Sequence, residues 1–248
     1  MLTGLYSAAS AMNSAAQRHD VIAHNLAHAH HPGYRRLVPV EGTFESKLLG
    51  DAADPEAEPP LSTLGTSAAP DVVDFTPGPM IQTGRSLDFS IHGDGFFVVE
   101  GPNGPLYTRS GAFDLNSEGQ LVTVDGLPVS GGSGPIKLPP ETVLQDLAVT
   151  SDGRLMSGVE ELGKLEVVTF EKPEVLTAAG ISLFQAPDDV QPEKSEALVV
   201  QGYREGSNVS PILEMVRMID GMRQYEAAAN ALKSITEAVQ KNLSPTGG

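Results

Sequence analysis

The 248 residues include no cysteine, so neither a disulfide nor a thiolate metal site is open to this chain. Tryptophan is also absent, and there are only eight Phe and five Tyr. That leaves little from which to build the aromatic platform of a secreted, acidic carbohydrate-binding β protein. No apolar run approaches the roughly 18 residues that a membrane span needs. Basic residues are scarce, 16 against 32 acidic, for a net charge of −16. Such a surface argues against nucleic acid or an anionic membrane as partner. No GxSxG, HExxH or P-loop pattern occurs, and the carboxylates are scattered among turns. Nothing marks an enzyme, and no cofactor is expected.

The charge is unevenly placed. Residues 1–36 carry three Arg and one Asp, and residues 205–248 carry four basic and five acidic residues. The ends are near neutral and suited to close association, while the middle is strongly acidic and suited to a solvated outer surface. The N-terminus has no charged region before its apolar stretch, and Ser, Asn and Gln interrupt that stretch. It does not read as a signal peptide.

Both ends read as amphipathic helices, over residues 1–31 and 211–243. In the first, Leu5, Ala8, Met12, Ala15, His19, Ile22, Leu26 and Ala29 recur at alternating steps of three and four. In the second, Met215, Met218, Met222, Tyr225, Ala229, Leu232, Thr236, Val239 and Leu243 do the same. Such rows make narrow seams of the kind that pack as coiled coils. One helix cannot bury a seam alone, so the two ends are expected to meet each other or other copies. Three Met in the second row, with Met12 in the first, suit an adaptable interface. Thr3 can cap the first helix. Pro211 suits the first turn of the second, with Asn208 or Ser210 as its cap.

Between the helices, residues 51–80 are Pro-rich and acidic and read as a linker, closed by Thr76-Pro-Gly-Pro79. From Leu87 the hydrophobic period changes to two. Short strands and Gly-rich turns then alternate every 8–12 residues, the mark of an antiparallel β domain. The expected class is α+β: paired terminal helices, coiled-coil-like, around a central antiparallel β domain. The expected divisions are a helix and turn over 1–36, a linker over 37–84, a β domain over 85–204 and a second helix over 205–248.

Two local patterns have a metal reading and a plainer one. His24 and His28 are four apart and could share a helix face for Zn²⁺, but a third protein ligand is hard to name, Asp20 being the nearest carboxylate. Polar packing and capping at a helix end is the favoured role. Asp114 to Gly119 resembles the start of a calcium loop, yet β-patterned residues flank it, and a hairpin turn is favoured. Gly93-Asp-Gly opens a strand rather than a helix, so it lacks the helix N-terminus that holds a phosphate.

Several long motifs resemble the flagellar rod and hook proteins of the bacterial basal body. At the N-terminus these are Gly4 to Ser10, Asp20 to Ala27 with Asn25, and Pro32, Gly33 and Tyr34 with Arg35 and Arg36. In the middle they are Thr83 to Asp88, Gly93, Asp94, Gly95 and Phe96, and Tyr107 to Gly111. At the C-terminus they are Gln201, Gly202 and Tyr203 through Ser207 and Asn208, Glu214 to Ile219, and Arg223, Tyr225 and Glu226. His24, His28, His30 and His31 depart from the family pattern. The resemblance implies that the terminal helices pair and pack into a helical tube, with the β domain outside. Leu5, Met12, Ile22, Leu26, Met215, Met218, Met222, Tyr225, Leu232 and Val239 would then form the assembly interface. It also implies export through the flagellar type III apparatus, and as partners other copies, neighbouring rod proteins and a surrounding ring. Chain length and Asp74-Phe-Thr-Pro-Gly78 favour a proximal over a distal rod subunit.

Overall fold

The computed structural model describes residues 2–39, 41–42, 67–68, 72–132, 134–142, 144 and 146–243. The expected linker over 51–80 lies mostly outside the described residues. The chain divides into two compact units, one of Met1–Ala27, Leu37–Val72 and Ser210–Gly248, the other of His28–Arg36 and Val73–Val209. Together they make an α+β fold, with two long helices and mainly antiparallel sheets.

The first unit is built on the helices. Helix α1 spans Leu2–Ala27, a stretch filled with Ala, Met and Gln. It begins at Leu2, so Thr3 stands inside the helix and is not its cap. The Asn25 amide meets Leu37 in both directions, accepting from its N–H and donating to its carbonyl at 2.8 Å each. Helix α2 spans Pro211–Leu243, 33 residues and about 50 Å long. Proline at its first position costs nothing, because that N–H would have no partner in any case. Ser210 precedes it and its carbonyl accepts from Glu214 N–H at 3.0 Å. Asn208, the alternative cap, is committed elsewhere. The two helices lie against each other within this unit, and Arg18 Nη1 donates to Gln224 Oε1 at 2.9 Å. Neither helix is long and apolar enough to cross a membrane.

The second unit is antiparallel β. Its main sheet has six strands in the order Thr177–Ala178, Leu183–Gln185, Gly104–Thr108, Phe96–Gly101, Val167–Thr169 and Glu193–Lys194. The run Phe96-Phe-Val-Val99 is buried throughout, as a strand covered on both faces must be. Phe97 and Val99 enter the core with Phe89, Phe113, Leu121 and Leu155. Phe96 lies among Phe75, Phe170 and Phe184, at ring distances of 5.8, 6.0 and 6.1 Å. The strand Phe89–His92 pairs with Leu198–Gln201, and Met80–Gln82 pairs with Tyr203–Glu205. Residues 114–119 form the tip of a hairpin between Phe113–Leu115 and Leu121–Thr123. Asn116 Oδ1 accepts from Glu118 and Gln120 N–H, so that turn is stabilised by its own side chain.

Candidate assembly surface and its anchor

Three of the sequence motifs meet inside the second unit. Glu205 ends the strand Tyr203–Glu205 and is 2% exposed. Its Oε1 accepts from Arg35 Nη2 at 2.6 Å and from Gly78 N–H at 2.9 Å. Its Oε2 accepts from Arg109 Nη1 at 3.3 Å. Its main-chain carbonyl accepts from Gly33 N–H at 2.9 Å. Arg109 Nη2 donates to Gly93 O at 2.8 Å, and the guanidinium lies 5.4 Å from the Phe96 ring centre. Burial holds the Arg109 guanidinium below its ordinary range, and Glu205 opposes that shift. Two buried cations thus share one buried carboxylate, an arrangement that tolerates little loss.

The surrounding motif residues complete the junction. Gly33 adopts φ +69°, and a Cβ there would sit 2.2 Å from Ser110 N, so only glycine fits between Pro32 and the buried Tyr34. Asn208 Oδ1 accepts from Arg36 N–H at 2.8 Å, while its Nδ2 donates to the carbonyls of Asp74 and Thr76 at 2.8 and 3.0 Å. Ser207 Oγ accepts from Val209 N–H at 3.1 Å. Gln201 Nε2 donates to Ser86 O and Leu147 O, and its Oε1 accepts from Val149 N–H. Gly202 N–H donates to Asp88 O at 2.8 Å, and Tyr203 pairs with Gln82. Asp94 O accepts from Ser195 Oγ at 2.6 Å beside Gly95. Arg35, Arg109 and Glu205 lie inside the motifs but read as surface charges, and only Arg109 stands in a β-patterned stretch that could have hinted at burial.

The helical rows behave differently from one another. On α1, Ala8, Ala15 and Ile22 are buried, and Met12, His19 and Leu26 are half-buried, so the row is the covered face. On α2 two neighbouring rows separate. Glu214 and Gly221 are buried, with Met218, Ala228, Leu232 and Ile235 half-buried, at steps of seven, four and three. Beside them Ile212, Met215, Ile219 and Met222 are 74, 50, 52 and 51% exposed, again at steps of three and four. Leu213, Val216 and Tyr225 widen this exposed strip. Asp20, Arg223 and Glu226 are exposed, and Glu214 pairs with Arg217. The side chains of Leu5 and Val239 lie outside the described residues. Helix α1 ends at Ala27, so His28 does not continue the helix face that carries His24. Among the described residues no three His, Cys, Asp or Glu side chains gather as metal ligands do.

Comparison with known proteins matches residues 90–157 to the flagellar hook protein FlgE/F/G D1 domain. Residues 200–244 match the flagellar basal body rod FlgEFG protein C-terminal family. The flagellar basal-body rod protein FlgF of Caulobacter vibrioides is 31% identical over 242 residues, 96% of this chain and 95% of that one. The chain belongs to the FlgF/FlgG family of flagellar basal-body rod proteins. FlgF of Salmonella typhimurium is 30% identical, with 94% of each chain covered. FlgG of Agrobacterium fabrum is 31% identical over 268 residues, 98% of this chain and all of that one. The chain is therefore a structural subunit of the basal-body rod. The matched C-terminal stretch contains Glu205, Asn208 and the whole exposed strip of α2.

Proposed function

We propose that this rod subunit self-assembles through its terminal helices into a helical tube that transmits torque and passes exported subunits, with no catalytic role. One observation carries the reading: the strip of Ile212, Met215, Ile219 and Met222 is at least half exposed among the described residues. A contiguous apolar strip on a helix is an interaction surface. Covering it in an assembly stabilises by about 1 kcal/mol per half-exposed side chain. The occupants are the helices of other copies and of neighbouring rod proteins. The α1–α2 pair acts as one coiled-coil-like building element. A contact between unlike faces, repeated by one screw operation, does not close and so builds a filament. The chain reaches the rod through the flagellar export apparatus without a cleaved signal, and its acidic β surface faces outward, toward solvent or a surrounding ring. Its length and the Asp74–Gly78 stretch favour the proximal rod; the distal rod is the alternative.

The test is complementation of cells in which this chain is the only subunit of its kind. Ile219→Asp should leave export of the protein intact, stop rod completion and abolish motility. Swimming cells with intact rods would refute the reading. Immunogold or cryo-tomographic placement of a tagged chain below or above the rod's midpoint separates the proximal from the distal assignment.

A further inference from the structure

The chain has neither cysteine nor tryptophan, so its seven methionines are the side chains that a peroxide oxidises first. They are unevenly placed. Among the described residues Met80, Met215 and Met222 are exposed, and Met12, Met156 and Met218 are half-buried. Two of the three exposed thioethers therefore stand on α2. The spacing from Met215 to Met222 is close to two full helical turns, so both lie on one side of the helix with Ile219 between them. Both belong to the exposed strip with Ile212 and Ile219. Met218 lies on the neighbouring, half-buried row. Met80 lies in the second unit, on the strand Met80–Gln82.

We propose, resting on the assembly reading above, that Met215 and Met222 form an oxidation site that bars the free subunit from assembly, with hydrogen peroxide as the class of oxidant. The thioether sulfur supplies an electron pair to one peroxide oxygen. An S–O bond forms as the O–O bond breaks, and the other oxygen leaves as water. Sulfur is oxidised, peroxide is reduced, and no further reactant is needed. The product sulfoxide is polar where the thioether was apolar and adaptable. Its oxygen demands a hydrogen-bond donor, and the side chains of Ile212 and Ile219 beside it offer only hydrocarbon. Two such groups on one face spoil the strip for an apolar partner. The site also depends on the state of the chain. Both side chains are open to solvent in the single chain, and assembly through the strip covers them. Oxidation therefore acts on unassembled subunits and spares those already in the rod.

Peptide mass mapping of the full-length subunit during exposure to dilute hydrogen peroxide tests the site. Met80, Met215 and Met222 should each take up one oxygen severalfold faster than Met12, Met156 and Met218. Reaction of Met215 and Met222 no faster than that of Met156 would overturn the inference and leave the assembly reading standing. The same mapping on isolated basal bodies should find Met215 and Met222 slowed severalfold relative to the free subunit. Equal rates in the two would overturn both. The consequence is tested in complemented cells carrying Met215→Gln with Met222→Gln, whose uncharged polar amides stand in for the sulfoxides, with exported protein measured alongside. Basal-body yield should fall severalfold, and the control Met80→Gln should leave it unchanged. Met215→Leu with Met222→Leu keeps the strip apolar and takes up no oxygen, so it should retain more yield than the glutamine pair. Normal yield from the glutamine pair, or an equal loss from the leucine pair, would overturn the proposal.

Discussion

Glu205 Oε1 lies 2.6 Å from Arg35 Nη2, a contact across 170 residues of sequence. It joins the turn that follows α1 to the strand that precedes α2, with Arg109 from the middle of the chain on the other carboxylate oxygen. The three segments are tied at one buried point. Because two guanidinium groups depend on one carboxylate, the junction is asymmetric in what it can lose.

Glu205→Ala leaves both arginines buried without their shared carboxylate, a change that costs about 3–5 kcal/mol. In a chain of this size that lowers Tm by about 10 °C. Glu205→Gln keeps an acceptor for Arg35 and Gly78 and should cost less. Calorimetry of the purified subunit checks both. A Tm for Glu205→Ala within about 1 °C of the unaltered chain would mean that the junction contributes nothing net.

Asn208→Ala removes four bonds, to Arg36 N–H, Asp74 O, Thr76 O and Thr76 Oγ1. Leaving such groups unpaired costs about 1–3 kcal/mol. The Arg36 amide should then exchange faster while core amides are unchanged. Unaltered exchange at Arg36 would show that the amide does not depend on the asparagine.

Met222 is half-exposed in the single chain, so Met222→Asp should leave subunit stability within about 0.5 kcal/mol. In the rod the same residue is covered on the reading proposed above, and an unpaired carboxylate there costs several kcal/mol at every repeated contact. Basal-body yield should collapse although the protein is exported. Lys233 lies off that row, and Lys233→Asp should be milder. Normal yield from Met222→Asp cells would remove Met222 from the interface.

Much of this was legible in the sequence, for identifiable reasons. On α1 the row through Ala8, Ala15 and Ile22 keeps its steps of three and four along the helix, so periodicity alone marks the covered face. On α2 two apolar rows lie side by side, and period cannot separate them. The row read from sequence takes Met218 and Leu232 from one and Met215, Met222 and Tyr225 from the other. The strand Met80–Gln82 was hidden by Pro77-Gly-Pro79, whose turn signal is strong, while its partner Tyr203–Glu205 lies far along the chain. The Arg35–Glu205–Arg109 cluster was hidden because charge in a sequence reads as surface. Only long-range packing brings the three together and removes them from water.

The central claim is that the exposed strip of α2 is where subunits meet, and a cryo-EM map of a basal body containing this chain tests it most directly. The side chains of Ile212, Met215, Ile219 and Met222 are predicted to be buried against helices of adjacent subunits. A map in which those four side chains face open solvent or the channel, while the subunits contact one another elsewhere, would contradict the account.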